Sequence, residues 1–138
     1  MSTLNQPVII HQSDLEWESW PEADRAKRGL VHWKTLLSRD KTESYDLTVG
    51  IARLTPGQKL ARHRHAQAEM YYMLKGVGVM HVAGTDYAVE GGTIIFIPGD
   101  AVHGISNSGD ADADVEWLYA FPTDSFSEVI YDFDVGTE

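Results

Sequence analysis

The sequence predicts an all-β fold, an antiparallel sandwich or small barrel, preceded by a short helical segment. Three observations predict it. Short apolar runs follow one another from residue 29 onward, at 29–37, 45–54, 60–65, 69–74, 77–83, 93–97, 102–107 and 115–121. Glycine and proline punctuate them, at Pro56-Gly57, Gly76, Gly84, Gly91-Gly92, Pro98-Gly99 and Pro122, where a chain must turn. The run "DVEWLYAFP" alternates around Glu116, putting Val115, Trp117, Tyr119 and Phe121 on one side, as a half-buried strand requires. Many short strands with frequent turns pack as two antiparallel layers or a closed barrel.

The elements follow in order. Residues 1–28 read as an arm: 1–12 either supply one strand or fray, and "SDLEWESWPEADRAKR" reads as a short helix broken before Pro21, then a second polar turn. In that helix Trp17 and Trp20 stand at i and i+3. Residues 29–138 read as the barrel domain. Its first two strands, 29–37 and 45–54, are joined by the loop "SRDKTES". Residues 55–58, "TPGQ", form a turn, 108–114 a polar loop, and the tail "SFSEVIYDFDV" is expected to add one more strand.

Composition narrows the function. The 138 residues suit one domain. There is no cysteine, so disulfides, zinc-thiolate sites and iron–sulfur clusters are excluded. Any metal must be held by histidine, carboxylate, tyrosine or water. The net charge of −10 argues against nucleic acid and against anionic membranes. The first ten residues lack a basic start and apolar core, and no apolar run approaches the ~18 residues of a membrane span, so the expected location is cytoplasmic.

The chemistry gathers in "HRHAQAEMYYMLKG", residues 63–76. In a strand, residues two apart share a face, so His63 and His65 point together with Arg64 opposite, and Glu69, Tyr71 and Met73 form a second such set. A carboxylate that opens an apolar strand needs a partner. Neutral imidazoles around a metal, with Glu69 as a further ligand, would satisfy all three groups. Downstream, Thr93–Ile97 reads as a buried strand and Pro98-Gly99 as a turn; His103 then opens the next strand between apolar Val102 and Ile105.

These residues resemble the cupin family. Gly57-x5-His63-x-His65-x3-Glu69-x6-Gly76 matches its first motif at every spacing, and Gly92-x5-Pro98-x4-His103-x3-Asn107 its second. Asp100 stands where the motif usually has another glycine, which should alter a turn rather than a ligand. The resemblance implies a double-stranded β-helix whose lumen holds one divalent metal ion on His63, His65, Glu69 and His103. Iron, manganese, nickel, cobalt, copper and zinc all suit that donor set. Four protein ligands leave a position open for substrate, which favours catalysis.

A narrower resemblance, carried by "AEMYYMLKG", "VHWKTLL" and "YAFPTDSFSEVIYDF", is to the cupin lyases that cleave dimethylsulfoniopropionate. It implies Tyr71 as candidate base or metal-adjacent group, Tyr131 as a second pocket tyrosine, and a β-elimination giving acrylate and dimethyl sulfide. Trp33, Trp117 and Tyr119 are candidates for an aromatic wall facing the sulfonium. Arg53, if it points inward, would favour a more anionic carboxylate. The rival readings are an iron(II) dioxygenase, an isomerase or epimerase of small sugars or keto acids, and a non-enzymatic small-molecule binder. A homodimer, paired through sheet edges or swapped N-terminal strands, is expected by the same resemblance. His11, His32 and His81 receive no role.

Overall fold

The computed structural model describes residues 5–108 and 112–136. Nine strands run in the order β1 (His32–Leu37), β2 (Thr48–Leu54), β3 (Lys59–His63), β4 (Glu69–Lys75), β5 (Val77–Val82), β6 (Thr85–Glu90), β7 (Ile94–Ile97), β8 (His103–Ser106) and β9 (Val115–Phe121) among the described residues. They form two sheets, one of order β1-β2-β9-β4-β7 and one of order β3-β8-β5-β6. Every pairing is antiparallel.

Period-two alternation builds the interior. Thr48, Gly50, Ala52 and Leu54 of β2, and Val115, Trp117, Tyr119 and Phe121 of β9, are all buried, with less buried residues between them. Leu54, Met73, Met80, Ile97 and Val115 have no solvent exposure. Gly50 is required by packing: a Cβ there would lie 2.2 Å from the Tyr119 hydroxyl.

The arm departs from expectation. No helix begins at Ser13. Gln12–Asp14 is a single 3-10 turn, and the α-helix, α1 (Arg25–Arg28), follows Pro21 after a second 3-10 turn, Glu22–Asp24. The stretch between is extended and bridges Glu18 to Trp33 of β1. Three residues apart in an extended chain means opposite faces, not the shared face of a helix. Trp17 lies over Lys34 and Arg53, at 4.9 and 4.2 Å, while Trp20 meets Trp33 at 5.1 Å between ring centroids.

Two further readings change. Strand β6 is not among the predicted runs: "TDYAVE" holds only the short run Tyr87-Ala88-Val89 between polar ends, and of these only Val89 is buried. The tail is not a strand. Ser125 and Glu128 form a reciprocal capping box around the 3-10 turn Phe126–Glu128, and afterwards, among the described residues, the tail makes one β-bridge, Arg64 to Asp132. Residues 5–11 form no strand with the rest of the chain, and the expectation for 1–4 lies outside the described residues. Asp100 adopts φ 64°, a left-handed turn that aspartate tolerates better than most residues. Its N–H donates to the His65 carbonyl at 2.8 Å, so the turn that replaces the motif's glycine also steadies a candidate ligand.

Candidate metal centre

Three strands and one loop deliver the site. His63 ends β3, His103 begins β8, and the two are cross-strand partners with ring centroids 4.2 Å apart. A register shift between Leu60 and His63 bends β3 just before the ligand, as bulges beside functional sites do. The close approach this needs is made possible by Gly104, where a Cβ would lie 2.9 Å from the Leu60 carbonyl. His65 follows in the loop, and Glu69 opens β4 on the facing sheet. All four are buried.

The histidine tautomers follow from the backbone. His63 Nδ1 lies 2.7 Å from the Ala61 carbonyl, His65 Nδ1 3.0 Å from that of Gln67, and His103 Nδ1 2.9 Å from that of Ala101. A carbonyl only accepts, so each Nδ1 carries the proton and donates. Each Nε2 then presents a lone pair. One ring nitrogen of each histidine lies within 4.8 Å of the others. Nε2 of His63 and of His103 are buried with no hydrogen-bond partner. Glu69 Oε1 sits 3.1 Å from His65 Nε2 and 3.3 Å from His103 Nε2.

Lone pairs of the three imidazoles thus converge on one buried point, with the Glu69 carboxylate against two of them. Left so, they repel; a cation at their centre satisfies all of them. The donor set fits a divalent ion of the first transition row. Burial first, and then the neighbouring His103, hold His63 well below the usual imidazole range, which keeps it in the ligating neutral form.

A cavity of about 30 Å³ adjoins Glu69, lined also by Tyr71, Trp117, Tyr119, Tyr131 and Trp33. Five of the six residues nominated from the sequence as catalytic or pocket-lining therefore meet at one wall. Arg53 does not. Its neighbours Ala52 and Leu54 point inward, so it faces out, across from His32 and Glu116 and under Trp17. Tyr71 packs on Trp117 with centroids 5.3 Å apart, and Tyr131 stacks on His63 at 4.9 Å. Burial, and then the charge of Glu69, push both phenols well above their ordinary range.

Sequence reasoning missed the roof. Trp20 and Phe126 line the cavity with Trp33 and Tyr131, and Phe133 packs behind them: Trp20 lies 5.9 Å from Tyr131 and 5.6 Å from Phe133, and Phe126 stacks on Tyr131 at 6.0 Å. Arg28 places its guanidinium over both Trp20 and Phe133, at 5.2 and 5.0 Å, joining arm to tail. The spacing of Phe126, Tyr131 and Phe133 held that signal, but a strand reading distributed them over two faces. His81, given no role, faces away from the lumen-side Met80 and holds Asp86 at 2.8 Å.

A two-sheet β-helix with this ligand shell defines a cupin, and the chain belongs to that family: the cupin domain description matches residues 50–121. Among curated relatives, dimethylsulfoniopropionate lyase DddW of Ruegeria pomeroyi is 33% identical over 129 residues, covering 94% of this chain and 83% of that protein. The oxalate-binding protein of Thermotoga maritima is 32% identical over 89 residues, covering 64% of this chain and 74% of that one. A crystal structure described as a predicted oxalate decarboxylase from Thermotoga maritima superposes with a TM-score of 0.71 at 26% identity, over 84% of this chain and 99% of that one. Among the described residues no helix is long and apolar enough to cross a membrane.

Proposed function

We propose that the chain is a metal-dependent lyase that performs β-elimination on dimethylsulfoniopropionate or a similar small carboxylate bearing a cationic leaving group. One observation carries this reading. The cavity beside the ligand shell has aromatic walls, a single acidic residue, and no lysine or arginine in its lining. Aromatic faces favour a cation such as a sulfonium. The likeness to the lyase of Ruegeria pomeroyi points the same way.

His63, His65, Glu69 and His103 would hold the metal, which when bound supplies Lewis acidity toward the substrate carboxylate and eases proton loss from nearby phenols. The chain supplies the rest. Tyr71, fixed on β4 two residues from Glu69 and braced by Trp117, would give up its own proton to solvent when the metal is bound and, as the phenolate, accept the α-proton. The electron pair of the broken C–H bond becomes the new carbon–carbon double bond. The carbon–sulfur bond breaks, and the sulfide leaves neutral with its bonding pair, so no general acid is needed. Tyr131, over His63, is the second phenol within this shell. Trp33, Trp117 and Tyr119 face the sulfonium. The cavity holds about one water, so a substrate needs the aromatic roof to move aside.

The test is direct: load the purified chain with each candidate metal, add dimethylsulfoniopropionate, and measure headspace dimethyl sulfide and acrylate. Product with at least one metal, lost on Tyr71→Phe with metal retained, is the expected result. No sulfide with any metal removes the lyase. The small cavity and the likeness to an oxalate-binding protein favour one second reading, a binder of a compact dicarboxylate. Calorimetric oxalate binding without turnover would establish it instead. A homodimer belongs to the proposed assembly under either reading.

A further inference from the structure

His81 takes no part in the metal centre, yet its ring is fixed at one end and unmatched at the other. It stands on β5 with its side chain on the outer face of the four-stranded sheet, only 8% exposed. Its cross-strand partners are Asp86 of β6 and Gly104 of β8. The Asp86 carboxylate accepts from Nδ1 at 2.8 Å, so that nitrogen carries a proton. A ring anchored toward β6 turns its other nitrogen toward β8, where Gly104 has no side chain to meet it. Nε2 is buried there without a hydrogen-bond partner, and in the neutral ring it holds a lone pair. A buried acceptor with nothing donating to it costs stability.

A groove of about 450 Å³ runs over this ring. Lys27, Lys59 and Arg62 line it with His81, and among its lining residues only Asp86 is acidic. That balance inverts the rest of the chain, which has 21 acidic and 11 basic residues. Asp86 is engaged by His81, and Lys27 by Asp134 at 2.5 Å. Lys59 is exposed and forms no ion pair among the described residues. Arg62, also exposed, stands beside the glycine: a Cβ on Gly104 would lie 3.1 Å from the Arg62 backbone nitrogen. Phe133 and Val135 of the tail give the groove an apolar wall.

We propose that this groove is a second small-molecule site, for an anion that also carries a hydroxyl group: a hydroxy acid or a polyol phosphate. Lys59 and Arg62 take the carboxylate or phosphate, the hydroxyl donates to His81 Nε2, and the hydrocarbon body lies against Phe133 and Val135. Charge alone would admit any anion, but a plain carboxylate or sulfate brings only acceptors, lone pair against lone pair at Nε2. The long side chains of Lys59 and Arg62 change rotamer quickly at an exposed surface, which lets a ligand reach the covered ring. The site lies behind β3 and β8, across the sheet from the metal centre, and is independent of the reaction proposed there.

NMR of the zinc-loaded full chain tests it, with two pairs of probes: lactate against propionate, and glycerol 3-phosphate against propyl phosphate. The titrations are run at about pH 8, where an ordinary imidazole is neutral. The amides of Lys59, His81 and Asp86 should shift, and the hydroxylated member of a pair should bind about 10-fold more tightly. Whichever pair binds better tells whether the groove takes a carboxylate or a phosphate. His81→Phe, which keeps a ring but loses Nε2, should abolish the preference within the pair. Lys59→Gln should weaken both members by about 10-fold, as loss of a charged hydrogen bond does. Shifts confined to residues around Glu69 and Tyr71, equal affinity within both pairs, or no shift at about 10 mM of any probe overturns the proposal. A folded His81→Phe chain that keeps the preference does so too; if that variant does not fold, unchanged affinities in Lys59→Gln have the same force.

Discussion

The floor and the roof of the lumen are built differently. The floor, where His63, His65, Glu69 and His103 converge, stands on paired strands and is oriented by backbone carbonyls. The roof is aromatic and, Trp33 of β1 apart, comes from segments outside both sheets, the arm around Trp20 and the tail from Phe126 to Phe133. Its rings are partly exposed, whereas Tyr71 and Trp117 beneath are wholly enclosed. A floor held by ladders keeps a ligand shell in place; the roof is tied on by ring contacts and by the isolated bridges Glu18–Trp33 and Arg64–Asp132, so it should open at less cost than the barrel unfolds.

The largest effect that tests this contrast is at the floor. His63→Ala or His103→Ala should bring metal content to background and cut any turnover by more than about 100-fold, the upper end of what losing a mere orienting partner costs. Metal analysis beside the activity assay reads both. Retained stoichiometric metal would show that the shell is not built as described. Next, Tyr71→Phe should lower kcat by about 10²–10⁴ with metal unchanged, the range of a lost general base. If Tyr131→Phe has the larger effect on kcat, the base belongs to the roof.

Stability should divide the same way. Trp117→Ala, which empties an enclosed site, should cost about 3–5 kcal/mol in denaturant unfolding. Trp20→Ala should cost less, within the ordinary range of about 0.5–3 kcal/mol, yet speed amide exchange across residues 126–133. Equal costs would mean that the roof is as integral as the core. The smallest effect is on pH. Burial keeps His63 neutral in the fold, well below its ordinary value of 6.5, whereas the unfolded chain protonates it near that value. The unfolded state then binds more protons, so the metal-free chain is at full stability above pH 6.5 and loses it as the pH falls below. Thermal melts from pH 8 to 5 show this; a Tm that stays flat contradicts it.

What could be read in advance followed from residues that do one job. The ligand spacings and the β9 alternation were legible because Glu69 and Trp117 sit on strands of period two. Strand β6 was hidden because both its ends and most of its side chains are wet. The tail looked like a strand because Val129 and Tyr131 have the right spacing, but the capping box at Ser125 and Glu128 turns the chain first. Arg53 lay beside the ligand strand in sequence, and only the parity of β2 sends it outward. The two tryptophans of the arm misled because the same three-residue interval means one thing in a helix and the reverse in an extended chain.

The acceptors that orient the three imidazoles belong to Ala61, Gln67 and Ala101, and they are main-chain oxygens. Any amino acid brings that oxygen with it. Point mutation at those places can therefore reshape the surroundings without erasing the instruction that turns each ring, and the centre can outlast wide drift in the sequence around it.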